Sequence, residues 1–413
     1  MIRIAKPIGL TLVLSGLAVC FVFILPLIFS SDSSVIILTQ IAITIIFALS
    51  YNMVLGQAGM LSFGHAVYMG IGGFAAVHVM NGVLGSAIPL LILPLFGGLF
   101  SLGVAFIVGG FSTRRGGISF AMISLGVVEL VASFSIIIVM FFRGGGMLWD
   151  RTSAPRFFGI DFAHQIEVYY LVAGWMLLSV GAMFLFTLTP IGRLANAVRD
   201  NPERVEFVGY SAHWVRFYSF CGAGFFAGVA GALSTITFEI ASAENLTVQA
   251  SGIILLVAFL GGVGVFYGPI LGAIVFTLLQ SVLSQQTDLW ELYVGVLFLM
   301  TVMYFPSGLA GILLLHTVPI AKGTAGMLVM PYLRFLGPAF LGLSGCITFV
   351  EILNHARKAI VGGEKMVWFG MWINTDDFLP WCVALGLAVF GIWTAKRQAK
   401  ILKEAWHTAT VLD

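Results

Sequence analysis

The sequence is poor in charge: 9% of its 413 residues are Asp, Glu, Lys or Arg, against about 25% in a soluble domain. With 60% hydrophobic residues beside so few charges, the chain lacks the polar surface to cover itself in water, and lipid is the solvent that tolerates such a surface. A basic face is lacking too. The net charge of +2 says nothing about partners; it is the missing basic face that removes nucleic acid from the expected ones. The four cysteines, Cys20, Cys221, Cys346 and Cys382, lie in apolar segments at no metal or redox spacing, so they read as small hydrophobes. His78, His164, His213, His316, His355 and His407 are dispersed, with no metal-ligand spacing. There is no G-x-x-x-x-G-K-S/T phosphate loop. The longest stretches between apolar runs, 143–167, 189–212 and 351–377, are too short for a soluble catalytic domain. No cofactor, no metal and no enzymatic chemistry are therefore expected in this chain, and any ATP and Mg would be bound by partner subunits.

What the sequence has is apolar length. A membrane span takes about 20 apolar residues, which places helices near 8–30, 35–54, 63–81, 88–111, 118–142 and 168–188. A second set falls near 213–237, 249–265, 268–284, 290–305, 327–350 and 378–395. The first run follows MIRIAK, is too long for a signal-peptide core and has no small-x-small site before Ser31, so it reads as an uncleaved span. The segments after Gln249 read equally as one broken helix plus a re-entrant piece. The expected fold is all-α: a polytopic transmembrane bundle of about ten core spans plus about two C-terminal spans, with broken or re-entrant helices. The division is an N-terminal span at 1–34, a core at 35–312 and an extension at 313–413 with a basic tail. Twelve crossings put both termini on one side. With the N-terminus inside, the inner loops hold 14 of the 20 Lys and Arg and the outer loops 6, so both termini are expected in the cytoplasm.

Three segments stand out. The stretch 189–210, TPIGRLANAVRDNPERVEFVGY, is the longest strongly polar run on the inner side. Pro190 and Gly192 end the preceding span, Arg193 to Asp200 can form a short helix, and Asn201 with Pro202 reads as the cap and first turn of another. Gly209 suits its stop. Two such helices make a stiff charged knob for a soluble partner, or an ordinary loop that sets topology. In 48–76, Asn52, Gln57, Ser62 and His65 interrupt apolar sequence; unpaired polar groups in hydrocarbon cost several kcal/mol, so they must meet partners, water or substrate. In 255–273, Gly268 and Gly272 form a small-xxx-small face, as do Gly224 and Gly228, and Pro269 stops a helix. LGQAG at Leu55–Gly59 and LGGVG at Leu260–Gly264 echo one another, and paired glycine interruptions in two halves of a transporter mark broken helices. Glu129, mid-span, is the clearest intramembrane carboxylate; such acids usually face a bundle interior or cavity, as a pathway residue or as a structural hydrogen-bond partner. Glu239 and Glu244, with the 143–157 loop, form either an outer docking surface or solvated loop ends.

These segments resemble the permeases of the branched-chain amino acid ABC importer family, in their M-type subunit. The early motif N-x-x-x-G-Q-x-G-x-x-S-x-G-H is complete in Asn52, Gly56, Gln57, Gly59, Ser62, Gly64 and His65. The coupling pattern G-R-x-x-x-A-x-R-D/E-N is met by Gly192, Arg193, Ala197, Arg199, Asp200 and Asn201, with Gly209 following. The late pattern G-G-x-G-x-x-x-G-P-x-x-G is met by Gly261, Gly262, Gly264, Gly268, Pro269 and Gly272. The resemblance spans about 35–312. It implies that 189–210, Glu203 included, faces a nucleotide-binding subunit, and that Asn52, Gln57, Ser62, His65, Glu129 and Ser251 are translocation-path candidates. It implies as partners a second permease subunit in a heterodimer, two ABC ATPase subunits and an extracytoplasmic solute-binding protein, in a bacterial inner membrane. The solute implied is a branched-chain or other hydrophobic amino acid, with urea, short amides and aromatic acids as alternatives.

The chain departs from the pattern at Ile253, often acidic in relatives, and in RGGGMLWDRT, where relatives carry a T-G-G-x-x-G loop. Family members commonly end soon after the segment matching FPSGLAGILL, whereas this chain continues for about a hundred residues. An ion-coupled secondary transporter would need several buried acids or coupling-ion ligands, and one clear candidate is present. A membrane-embedded enzyme would need His, Asp or Cys clustered at one depth, and that cluster is missing.

Overall fold

The computed structural model describes residues 20–82, 88–137, 146–151, 162–358, 365–368, 371–374 and 377–411. It divides into two compact units, Met1–Ile312 and Leu313–Asp413. Residues 20–28 are helical. In the first unit, Ser31 caps helix α1 (Asp32–Asn52) by accepting from the Ser34 N–H. The helix then widens into a π turn, Met53–Gln57, and breaks. Irregular chain leads to α2 (Ala66–Asn81), which is followed by α3 (Leu93–Ser112), α4 (Ile118–Ile137) and α5 (Gln165–Leu188). Two short helices, α6 (Pro190–Asp200) and α7 (Pro202–Phe207), precede α8 (Ala212–Phe238). After these come α9 (Val248–Gly261), α10 (Gly268–Gln286), α11 (Trp290–Tyr304) and α12 (Gly308–Ala321), the last crossing the unit boundary.

The core of this unit is α8, which packs on α1, α2 and α3. Its small residues permit the approach: a Cβ at Gly228 would sit 2.5 Å from the Gly97 carbonyl oxygen, and one at Gly72 2.4 Å from the Gly228 carbonyl oxygen. Van der Waals packing of this kind is what holds helices together where no water drives them. At one end of the bundle, β1 (Gly146–Leu148) pairs antiparallel with β2 (Ile240–Ser242). Arg151 lies 3.5 Å from the Glu239 carboxylate there, which also accepts the Arg151 N–H. Glu239 is thus engaged within the chain; much of the 143–157 loop lies outside the described residues. At the opposite end lie α6, α7, the π turn and the α9–α10 connection.

The second unit is a long antiparallel hairpin, α13 (Gly326–Lys358) and α14 (Phe378–Val411), with the two-stranded β3 (Lys365–Trp368) and β4 (Met371–Asn374) between them. Trp406 and His316 both reach the Tyr332 hydroxyl at 2.9 Å. Lys322 Nζ and Thr324 Oγ1 donate to the last carbonyls of α14, Thr410 and Ala409, which satisfies a helix end.

The span count differs from the twelve expected. Among the described residues, eight helices are long and apolar enough to cross a membrane, and α11 with α12, bent by 45°, makes a ninth. The 8–30 run lies mostly outside the described residues. The expected spans at 63–81 and 249–265 are helices of 16 and 14 residues, about 24 and 21 Å long at 1.5 Å per residue, short of a hydrocarbon core of about 30 Å. Each is cut by a polar or glycine-rich break, at 58–65 and at 262–267. The chain after 305, expected as a loop, continues as α12, and the basic tail is the last four turns of α14, built from the helix formers Ala, Lys, Gln, Leu and Glu.

Candidate functional site

Helix α6 is capped by Thr189, whose Oγ1 accepts from the Gly192 N–H at 3.2 Å, with Pro190 in its first turn. Asn201 Oδ1 accepts from the Arg204 N–H at 2.9 Å and so starts α7. Gly209, at φ 93, ends the pair. The structure sorts the motif residues by helical phase. Arg193, Ala197 and Asp200, at i, i+4 and i+7, are exposed on one face. Gly192 is buried, because α6 folds back until a Cβ there would fall 2.2 Å from the Phe186 carbonyl. Glu203 is exposed on α7. Beneath it Val205 is buried, while Phe207 is 90% and Val208 71% exposed. This apolar tip was missed in the sequence reading; its signal was a Phe-Val pair at the end of a polar run.

Arg199, its side chain 37% exposed, lies off that face. Its Nη1 donates to the Gly56 carbonyl and its Nε to Asp200 Oδ1 at 3.1 Å. Around that contact the breaks of the two halves come together: a Cβ at Gly56 would lie 2.6 Å from the Val263 carbonyl, so the two echoing glycine segments are neighbours. On the other side of the Val263 connection, Gly261, Gly268 and Gly272 interlock, each with backbone within 2.1 Å of its Cβ position, whereas Gly264 has nothing within 4 Å.

The polar groups of 48–65 form a buried cluster beside this junction. Asn52, Gln57, Ser62, His65 and Ser251 are each at most 6% exposed. Ser50 Oγ donates to the Phe47 carbonyl and lies 2.9 Å from His65 Nε2. Tyr51 donates its hydroxyl to the Ser62 carbonyl at 3.1 Å. The start of α2 is held by hydroxyls from distant helices: Ser124 of α4 accepts the Phe63 N–H and Ser251 of α9 accepts the Ala66 N–H. Asn52 Oδ1, Gln57 Oε1, Ser62 Oγ and His65 Nδ1 have no hydrogen-bond partner among the described residues. A cavity of about 10 Å³, lined by Ser62, Ser112 and Ser124, is the size of one water. Pro269 is buried in the first turn of α10.

Glu129 is not part of this cluster. It is exposed on this chain, in a stripe of α4 with Ser119, Met122, Gly126 and Ser133, and nothing lies within 4 Å of the Gly126 Cβ position. Of the two placements expected, bundle interior or cavity, the interior of this chain is taken by the buried face of α4, Phe120, Ser124, Val128 and Ser135. A carboxylate facing hydrocarbon is costly, which makes this stripe unlike an ordinary lipid-facing surface.

A family model described as branched-chain amino acid transport system / permease component matches residues 33–305. The chain belongs to this family. Similar proteins include the high-affinity branched-chain amino acid transport system permease protein LivM of Salmonella typhimurium, 27% identical over 308 residues, 68% of this chain and 70% of the relative. The Escherichia coli LivM is 26% identical over the same shares. The ribose import permease protein RbsC of Haemophilus influenzae is 24% identical over 275 residues, 62% of this chain and 78% of the relative. No solved structure matches. The branched-chain permease family match ends before α12, so the hairpin α13–α14 lies beyond it. As a member of this permease family, with eight helices among its described residues long and apolar enough to cross a membrane, the chain is a multi-pass membrane protein of the ABC transport class.

Proposed function

We propose that the chain is one permease half of an ATP-driven importer that moves a small polar or amphipathic solute into the cytoplasm by alternating access. The observation that carries this reading is the α6–α7 knob: a capped, stiff pair of helices with an exposed apolar tip at Phe207 and Val208 beside the charged face of Arg193 and Asp200. Two ATPase subunits grip such knobs and bind the ATP and Mg. A second, non-identical permease chain faces the α4 stripe across the solute path, and an external binding protein delivers the solute. Both termini and the knob lie in the cytoplasm, in keeping with the excess of basic residues there. The core 35–312 forms the permease domain and 313–413 an appended membrane unit.

Branched-chain or other hydrophobic amino acids are the first solutes to test, given the LivM relatives; urea, short amides and aromatic acids come next. A sugar is the second reading, supported by the likeness to RbsC and by the hydroxyl and carboxylate stripe of Ser119, Glu129 and Ser133. Titrating the cognate binding protein with leucine and with ribose separates them. Uptake in cells should stop on ATP depletion and persist when an uncoupler collapses the ion gradient; the reverse pattern would make the chain a secondary transporter. In the same assay, Glu129→Ala should lower uptake about tenfold or more, because an acid on the path contacts solute or its gate. Wild-type rates from both Glu129→Ala and Glu129→Gln would remove Glu129 from the path.

A further inference from the structure

We infer that Arg199 is a latch through which the α6–α7 knob moves the break between α1 and α2, a positioning role that rests on the coupling reading above. The knob is covalently joined to α5 and α8, and movement is ordinarily passed along those helices. The structure offers a third and more direct path. Arg199 stands in the last turn of α6 but points away from the Arg193–Ala197–Asp200 face, and its guanidinium joins Asp200 of the knob to the Gly56 carbonyl of the π turn. Only an arginine fork donates to two acceptors in this way at fixed geometry.

The contact is not a long side chain alone. Gly59, at φ 69, brings the broken segment so close that a Cβ there would lie 2.7 Å from Arg199 Cγ and 3.2 Å from its Cα. The break therefore lies against the stem and Cα of Arg199 with no room for a methyl between them, and a displacement of one displaces the other. The π turn is also an element able to change. It carries an extra residue per turn, and Asn52 and Gln57, at its two ends, each hold a buried oxygen without a partner. A rearranged turn can satisfy those oxygens, which gives the break a second arrangement for the knob to select. Because Val263 of the α9–α10 connection abuts Gly56, the second half of the bundle follows the first.

The test uses the full importer complex in membranes, with ATPase co-purification, ATP hydrolysis and solute uptake measured on each variant. Arg199→Gln removes the fork, Arg199→Lys keeps its charge, and Gly59→Ala keeps the guanidinium but sets a methyl against the Arg199 stem. All three should co-purify ATPase at the wild-type ratio and hydrolyse ATP. Uptake per ATP should fall about tenfold, as loss of a coupling free energy requires, through the maximal rate and with the half-saturating solute concentration unchanged. Arg193→Glu, on the exposed face, should instead lose the ATPase. If Gly59→Ala and Arg199→Lys both keep wild-type uptake per ATP, there is no latch. If Arg199→Gln releases the ATPase, Arg199 is a partner contact and the latch falls while the coupling reading stands. Should Arg193→Glu bind ATPase and transport normally, the coupling reading itself fails.

Discussion

Phe207→Ala is expected to weaken association with the ATPase subunits by roughly 2 kcal/mol, about thirtyfold, with membrane insertion unchanged. The expectation rests on where the side chain is. At 90% exposure it contributes almost nothing to the fold of this chain, so truncating it removes little from stability. On a partner's surface the same ring would be buried, and an aromatic anchor at the centre of an interface carries a disproportionate share of its energy. Val205, two residues back and on the other side of the helix, is 5% exposed and seats α7 on the bundle. Val205→Ala should therefore loosen the knob and lower thermal stability, whereas Phe207→Ala should not. Binding of detergent-solubilised chain to purified ATPase, read beside a thermal melt, separates the two effects. Unchanged ATPase binding by Phe207→Ala would leave the knob as a topological loop.

The fold was legible where hydropathy alone decides it. Helices α1, α3, α4, α5, α8, α10, α13 and α14 are apolar runs bounded by polar residues, prolines or glycines, and each lies where such a run predicts it. Hydropathy does not report backbone breaks, which is why α2 and α9 read as full spans. The polar residues that shorten α2, Gln57, Ser62 and His65, were visible as an interruption, but the hydrogen bonds that hold the break run from Phe63 N–H to Ser124, from Ala66 N–H to Ser251 and from Tyr51 to the Ser62 carbonyl, with partners far away in sequence or across the break. The knob was legible from Asn201–Pro202 and Gly209 because caps are local chemistry. Its facing was not. Arg193 and Arg199 are alike as letters, and only the packing of α6 under the π turn sends one outward and the other to Gly56. The facing of Glu129 was not legible for a related reason: a mid-span acid has no phase until the buried stripe of Phe120, Ser124 and Val128 is known. The exposed series at 119, 122, 126, 129 and 133 has helical spacing and carries three polar residues, which was the available clue.

Gly268→Val should prevent the chain from accumulating in the membrane, while Gly264→Ala leaves its level and melting unchanged. The two glycines lie in the same motif and the same six-residue neighbourhood, so sequence gives no reason to treat them differently. Geometry does. A Cβ at Gly268 would stand 2.0 Å from the Gly262 carbonyl, and its partners in the crossing, Gly261 and Gly272, meet backbone at 2.0 and 2.1 Å. Backbone cannot rotate aside as a side chain can, so the branched residue must separate α9 from α10; overpacking of this kind costs roughly 3 kcal/mol or more. Nothing lies within 4 Å of the Gly264 position, and its backbone is not in the left-handed region, so a methyl there meets no obstacle. Membrane abundance and a melting curve for each variant decide the matter, and equal stability of the two would show that the crossing opens without cost. Where it does hold, the α9–α10 turn is fixed at its base and free at Gly264, so movement arriving at Val263 through Gly56 would bend the connection at Gly264 and leave the helix crossing intact.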